Sequence, residues 1–369
     1  MNRFLILVIA LLSCNTEKKS EYKSEADFIF TYTSDTVVVD AGDHFFFLNQ
    51  GLGISDVSSD RKYLYNLNPE SLILEIVDLD NLKLKETVQL DNEGPNGVGG
   101  GYLSRMQVLE NGDLCLFDFN RIVRISPKGE LLKSYQFDQR NLKGYELEEN
   151  QHVSYRGVFS ENGNLYVAEL ENFRKPSSSS GLVIIDLLTD SINYIPMALF
   201  QKLDQFRISM EMSGGGTMSI GESVYLDFMG DELIISSSAY NEVFRHNSEK
   251  DSLYHHEYKA NLTSNTRIGN FATTVSSREE WSEASALKNQ QVSFRKFYEF
   301  PEQEMYWRYS RDKNGPVITF FDSDFVMIKE QTLRNFHNSS NIFLKDGMLY
   351  SYLNIDDELA FVRLTPKFK

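Results

Sequence analysis

The sequence predicts an all-β protein, a six-bladed β-propeller of four-stranded antiparallel blades, on three observations. First, a tight-turn pair followed by a short apolar strand keeps returning. It is Ser59-Asp60 before Tyr63-Leu64-Tyr65, then Asn111-Gly112 before Leu114-Cys115-Leu116-Phe117, then Asn162-Gly163 before Leu165-Tyr166-Val167. Gly230-Asp231 before Leu233-Ile234-Ile235 and Asp346-Gly347 before Met348-Leu349-Tyr350 continue the series, and Glu302-Gln303 before Met305-Tyr306-Trp307 is a weaker copy. Second, neighbouring turns lie roughly 45 to 75 residues apart, the range of radially repeated all-β units. Third, the two strands after each turn are nearly continuous in apolar residues, as expected when both faces of a strand are covered by neighbouring units.

The chain opens with a short basic residue, Arg3, an unbroken apolar run from Phe4 to Ala10, and then Leu11-Leu12-Ser13-Cys14. This is the pattern of a lipoprotein signal peptide over residues 1–13, too short to span a bilayer as a mature helix. Cleavage before Cys14 leaves a thiol to be lipidated, so the expected protein is anchored to a membrane rather than threaded through it. Residues 14–27 carry no apolar period and read as a flexible tether. Asn15, where some envelopes use Asp for inner-membrane retention, favours an outer-membrane lipoprotein; whether it faces periplasm or medium stays open. Residues 28–369 are then one propeller domain.

Within each unit the strands follow in antiparallel meanders. Tyr63 to Tyr65 is followed by Leu74-Glu75-Ile76-Val77-Asp78 and by Lys85-Glu86-Thr87-Val88-Gln89-Leu90; Leu114 to Phe117 by Ile122-Val123-Arg124-Ile125 and a run from Leu131 to Phe137. The third and fifth units repeat this with Leu182 to Asp186 and Asn193 to Ile195, and with Val317 to Asp322 and Val326 to Glu330. The last unit, from Asn341 to Leu364, ends one strand short. The N-terminal run Thr36-Val37-Val38-Val39 is the candidate for that outer strand, paired with Leu359 to Leu364 so that the ring closes without an exposed edge. Two segments interrupt the pattern. Ser277-Arg278-Glu279-Glu280 has capping-box spacing and predicts a helix between units four and five. Met197 to Met212 predicts a further helical turn or two between units three and four.

The formal charge of −16, from 53 acidic against 37 basic residues, argues against nucleic acid and against a general hold on anionic lipid. With Cys14 lipidated only Cys115 is left, so no internal disulfide forms; within Leu114-Cys115-Leu116-Phe117 it reads as a small buried hydrophobe. Gly94-Pro95-Asn96-Gly97-Val98-Gly99-Gly100-Gly101 lacks the Lys-Ser/Thr pair and the following helix of a phosphate loop, and reads as a crossover between units. His255 and His256 are adjacent on a strand and point to opposite faces, so they do not chelate one metal together. Asp78-Leu79-Asp80-Asn81 and Asp322-Ser323-Asp324 are turn caps, and Asp356-Asp357-Glu358 a hairpin tip. No metal site and no cofactor is predicted.

The stretch Glu93-Gly94-Pro95-Asn96-Gly97, with the run from Leu109-Glu110-Asn111-Gly112 through Ser126-Pro127-Lys128-Gly129-Glu130-Leu131, resembles one blade of the NHL-type six-bladed propellers of Bacteroidota lipoproteins. Tyr306-Trp307-Arg308-Tyr309 with Val317 to Asp322 is similar to a subgroup of them, the domain of unknown function numbered 4221. The resemblance implies a six-bladed propeller and an envelope location, and carries over no catalytic residues.

In a propeller the first strand of each blade lines the central channel. Arg105, His152, Arg156, Arg295 and His337 precede the turns at such positions and form a candidate cationic funnel for a carboxylate or acidic sugar, since Arg offers bidentate geometry. Pairing of these side chains with local Asp and Glu is the competing outcome. Three functions follow. The leading one is a membrane-anchored binding or interaction module holding an envelope protein or glycan. The second is a hydrolase or lyase on an anionic carbohydrate, with His152 or His337 as base and an Arg on the carboxylate. The third is a structural or sensory envelope component; fold alone does not choose among them.

Overall fold

In the computed structural model the described residues are 28–99, 102–137, 142–172, 181–247, 252–333 and 341–369. Cys14, the tether and His337 lie outside them. Strands dominate, and the signals that announced them are the signals that shape them.

Strand β1 (Phe30–Val38) joins the last sheet; the chain then lays down one sheet after another. The first is β2 (Ser55–Val57), β3 (Tyr63–Asn68), β4 (Ile73–Asp78) and β5 (Lys83–Gln89), and the second is β6 (Arg105–Val108), β7 (Leu114–Phe117), β8 (Ile122–Ile125) and β9 (Leu131–Tyr135). The third is wider. It holds β10 (Lys143–Gly144), β11 (Gln151–Val153), β12 (Val158–Phe159), β13 (Leu165–Asn172), β14 (Gly181–Asp186) and β15 (Ser191–Pro196), with β11 and β12 sharing the inner edge of β13.

Between the third and fourth sheets come α1 (Ala198–Asp204), β16 (Ile208–Glu211) and β17 (Thr217–Ile220). The fourth sheet is β18 (Val224–Met229), β19 (Glu232–Ser237), β20 (Glu242–Asn247) and β21 (Ser252–Glu257); β22 (Thr274–Val275) and α2 (Arg278–Asn289) follow it. The fifth is β23 (Ser293–Phe300), β24 (Met305–Asp312), β25 (Gly315–Phe321) and β26 (Met327–Thr332). The sixth is β27 (Ile342–Lys345), β28 (Met348–Ile355), β29 (Glu358–Phe368) and β1. Strand pairs within these meanders are antiparallel; β10 against β15 is the parallel exception.

Each recurring turn leads into the strand next to the inner edge of its sheet, where alternate side chains serve two different cores. Leu114 and Leu116 pack with Leu74 and Ile76 of the first sheet, whereas Cys115 and Phe117 pack with Tyr166, Ala168, Val183 and Ile185 of the third. Likewise Ile235 packs toward Val167 and Leu182 while Ile234 packs toward Phe297 and Phe321. The near-continuous apolar runs follow from this: with period two, a strand sandwiched between two sheets needs apolar residues at both parities. A further core joins the fifth and sixth sheets through Trp307, Ile318, Leu349 and Leu364, and another joins the sixth to the first through Phe361, Tyr350, Val77 and Leu64.

The N-terminal strand pairs as its sequence predicts. Thr36, Val37 and Val38 lie opposite Val362, Phe361 and Ala360, and the ladder continues to Phe30 opposite Phe368. Val39 N donates to the Leu359 carbonyl at 2.8 Å. Phe30 is buried, its ring 4.8 Å from that of Phe320 and 5.5 Å from that of Phe368.

Both interrupting segments contain a helix, although the first turns into strand β16 after Asp204, and together they build one substructure. Ser277 caps α2 by accepting from Glu280 N at 3.1 Å, while the Glu280 carboxylate reaches back to the Ser276 amide at 2.7 Å, a capping box displaced by one residue. Strand β16 pairs antiparallel with β17 and parallel with β22, so segments on either side of the fourth sheet meet in a three-stranded sheet. Among the described residues no helix is long and apolar enough to cross a membrane.

Candidate functional site

The first strands of successive sheets are tied to one another by side chains. The Asn341 amide, just before β27, donates to the Leu52 carbonyl at 2.6 Å and to Ser55 Oγ of β2 at 3.2 Å. Asp56 of β2 accepts from Val108 N of β6 at 2.8 Å. Gln107 of β6 makes a paired amide contact with the Phe159 backbone of β12, donating at 2.8 Å and accepting at 2.9 Å. Arg105 donates to the Gly157 carbonyl, its guanidinium 3.9 Å from the centre of the Phe117 ring. Lys296 of β23 pairs with Asp227 of β18 at 2.8 Å.

Four of these groups, Asp56, Arg105, Asp227 and Lys296, come from four different sheets and act on one another electrostatically. Burial pushes the Asp56 carboxyl above its ordinary value, against the pull of the Val108 and Val57 amides and of Lys296. Burial lowers the Arg105 value, against the fields of Tyr166, Asp56 and Asp227. For Lys296 the Asp227 charge outweighs burial and holds the ammonium well above the usual lysine range. Its side chain is nonetheless 40% exposed. Tyr298 lies beneath Lys296 at 5.3 Å from nitrogen to ring centre, stacks on Trp307 at 4.5 Å, and feels the charges of Asp227, Arg295 and Tyr225.

Of the anticipated cations, Arg105 belongs to this cluster directly, and Arg295 reaches it through Tyr298 from the exposed bulge between Phe294 and Phe297. Arg156 is exposed on the turn between β11 and β12, its amide donating to Ser154 Oγ at 3.3 Å. His152 on β11 faces Glu171 of β13 and bonds it at 3.1 Å, the local acidic pairing weighed against the funnel. Sequence reasoning about cations alone missed Asp56, Asp227 and Lys296. Asp227 had a signal, being the single carboxylate of the otherwise apolar run Val224 to Met229; Asp56, between Ser55 and Val57, and Lys296 had none beyond their places in first strands. Two carboxylates therefore accompany the cations, and the cluster presents both signs of charge.

An open groove of about 800 Å³ lies apart from it, lined by Pro69, Glu70, Leu72, Gln89 and Asp91, and contains none of the four charges. Cys115 is fully buried and free, and burial pushes its thiol up to about 12, so it is a core residue rather than a nucleophile. The Asp78 and Asp322 carboxylates cap their own turns, Asp78 Oδ1 accepting from Asn81 N at 2.9 Å and Asp322 Oδ1 from Val326 N at 2.8 Å.

One cluster has metal-ligating character. Glu242 on β20 lies opposite Glu257 on β21, and His255, two residues before Glu257, shares its face. One ligand atom from each of Glu242, His255 and Glu257 lies within 4.8 Å of the others.

No curated protein matches the chain. Among solved structures it is similar to a member of the DUF4221 family from Bacteroides vulgatus ATCC 8482, with a TM-score of 0.62 and 12% identity over 92% of this chain and 99% of that one. A second, named "Putative exported protein", comes from Bacteroides fragilis NCTC 9343, with a TM-score of 0.54 and 11% identity over 95% of this chain and 98% of that one. At such identities the likeness speaks for the fold. The model for the domain of unknown function DUF4221 matches residues 27–332, most of the chain, and the protein therefore belongs to that family.

Proposed function

We propose that the six sheets close into a six-bladed propeller and that the chain is a binding module held to the bacterial envelope through a lipidated Cys14. The reading of the ring is supported by apolar cores shared between successive sheets, the last of them joining the sixth sheet to the first. The observation that carries the function is the meeting of Asp56, Arg105, Asp227 and Lys296 from four sheets beside Tyr298. Cations already matched by carboxylates are poor traps for a bare anion. Paired charges with a tyrosine face suit a hydroxyl-rich or zwitterionic ligand, such as a neutral glycan or an amino-acid derivative, which trades hydrogen bonds with both signs at once.

The test is a thermal-shift and calorimetric screen of the full-length chain in detergent against neutral, zwitterionic and acidic oligosaccharides. A neutral or zwitterionic ligand is expected to raise Tm, and the response is expected to vanish in Lys296→Met and in Asp227→Asn. A ligand response that survives both substitutions would remove the site. Recovery of one envelope protein near one-to-one in crosslinked pull-downs, with no ligand response, would shift the reading to protein interaction. The anchor is tested separately: radiolabelled palmitate is expected in the native chain and absent from Cys14→Ser.

A further inference from the structure

We propose that Glu242, His255 and Glu257 on the outer half of the fourth sheet bind a divalent first-row metal ion, independently of the cluster among the first strands. The ligands are a pleated-sheet constellation. His255 and Glu257 are two apart on β21 and so share a face, and Glu242 is the direct cross-strand partner of Glu257. The Glu242 side chain is only 3% exposed, and its Oε1 is a buried carboxylate oxygen with no hydrogen-bond partner. A buried unpaired carboxylate oxygen is costly, and metal coordination is one of the few ways to satisfy it.

The donor atoms already converge. Glu242 Oε2 and His255 Nε2 are hydrogen-bonded at 2.8 Å. An ion bound by both would take the place of the shared proton and open them to roughly 3.4 Å, the separation of two tetrahedral ligands at about 2.1 Å from Zn²⁺. The imidazole is oriented by more than this contact, because its ring stacks on Phe244 at 4.1 Å with an interplanar angle of 2°. A locked ring pre-pays part of the ordering that metal binding requires. One imidazole and two carboxylates suit Zn²⁺ or Mn²⁺ rather than a soft ion, and three protein donors leave at least one position to solvent.

Two cations bear on the site. Lys202 Nζ lies 3.7 Å from Glu242 Oε2, on a side chain 43% exposed. Arg308 is buried behind β20 and donates to the Glu242 carbonyl at 3.3 Å. Lys202 is thus a tethered competitor that an incoming ion displaces into solvent, whereas Arg308 is fixed and weakens the site equally in every variant at the surface.

The experiment is calorimetric titration of the full-length, chelator-washed chain with ZnCl₂, with Co²⁺ absorption as a second readout of coordination. One Zn²⁺ per chain is expected. Losing even a group that only supports a ligand typically costs about 10–100-fold in affinity, so His255→Gln and Glu257→Gln should each weaken binding by at least that much. Glu257 is exposed, so its substitution leaves the fold intact even if Glu242→Gln does not. Lys202→Met should tighten binding and leave the stoichiometry at one. Binding should weaken as pH is lowered, because protons compete with the ion for the donors. Absence of binding at millimolar Zn²⁺, or binding unchanged in both His255→Gln and Glu257→Gln, would overturn the proposal.

Discussion

In the second sheet Leu114, Cys115, Leu116 and Phe117 are all buried, and their neighbours on both sides are apolar side chains of the adjoining sheets. In the substructure of α1, α2 and β16 the buried interior contains a charge knot instead. Glu222, whose side chain is 1% exposed, meets Arg267 at 3.0 Å and Lys288 at 2.8 Å, and accepts from Ser238 Oγ at 2.6 Å. Lys288 also donates to the Phe206 carbonyl at 2.7 Å and the Gly221 carbonyl at 3.0 Å. A meander can satisfy its backbone through its own ladder and fill its faces with hydrocarbon. Segments from 198–222 and 266–291 are joined chiefly through loops, whose free carbonyls need donors, and Lys288 and Arg267 supply them. Repeat and insertion are therefore built on different terms: area in one, saturation of polar groups in the other.

The largest effect is expected from breaking the repeat at its seam. Deleting residues 28–39 strips β29 of its outer ladder, leaving only its pairing with β28, and removes Phe30 from the cluster with Phe300, Phe320 and Phe368. Cooperative unfolding should be lost or Tm should collapse, and an unchanged melting curve by circular dichroism would show that the outer strand is dispensable.

Next comes the knot. Glu222→Ala leaves Lys288 and Arg267 buried without their counter-charge and should cost about 3–5 kcal/mol by urea denaturation. The comparison is sharpened by replacing Glu222, Arg267 and Lys288 together with Leu or Met. If the knot supplies specificity more than stability, this triple variant should recover much of the loss, whereas a triple variant as unstable as Glu222→Ala would show that the bonds to the Phe206 and Gly221 carbonyls dominate. Burial also lowers the Lys288 value despite Glu222, the sign of a charge held there at a cost.

A smaller effect is expected at the α2 cap. Ser277→Ala removes the acceptor for Glu280 N and should cost about 1 kcal/mol, with hydrogen exchange quickening in the first turn of α2 and not in β7. Exchange spreading evenly through both would mean that insertion and repeat unfold as one.

The smallest is a pH effect at Asp56. Its folded value is raised, so the folded chain binds this proton more tightly than the unfolded chain does. The contribution of Asp56 to stability is therefore greatest below its ordinary value of 3.8 and declines as pH rises through the raised one. Asp56→Asn should flatten that part of the stability profile. Identical profiles for the two chains above pH 3.8 would mean that burial does not shift the titration of Asp56.

Much of the fold was legible because it is locally encoded. The turn pairs, the doubled apolar parity of β7 and β19, and the Ser277 to Glu280 cap each need only a few neighbouring residues to be recognised, and Cys115 could be placed in the core from its strand alone. The pairing of Thr36 to Val39 with the last strand was legible for another reason, since a missing outer strand has few candidates. The site was legible only in part. Arg105 and Arg295 could be named from their first-strand positions, but Asp227 and Lys296 are 69 residues apart and Asp56 lies still further back in the chain, so only the placement of sheets brings them together. His152 went to Glu171, a partner chosen by register. The His255-His256 pair drew attention to itself, while the ligand set uses His255 with Glu257 and takes Glu242 from the neighbouring strand.

The sequence by itself determined the strand repeat, the turns, the helix cap, the acidic balance and the expectation of an anchor at Cys14, because these depend on period, propensity and composition over short windows. Tertiary structure alone decided which charges meet, which carboxylate lies buried behind His255, and that the insertions join around Glu222. Those outcomes depend on distances between residues tens of positions apart, and such distances are set by the packing of whole sheets rather than by any local preference of the chain.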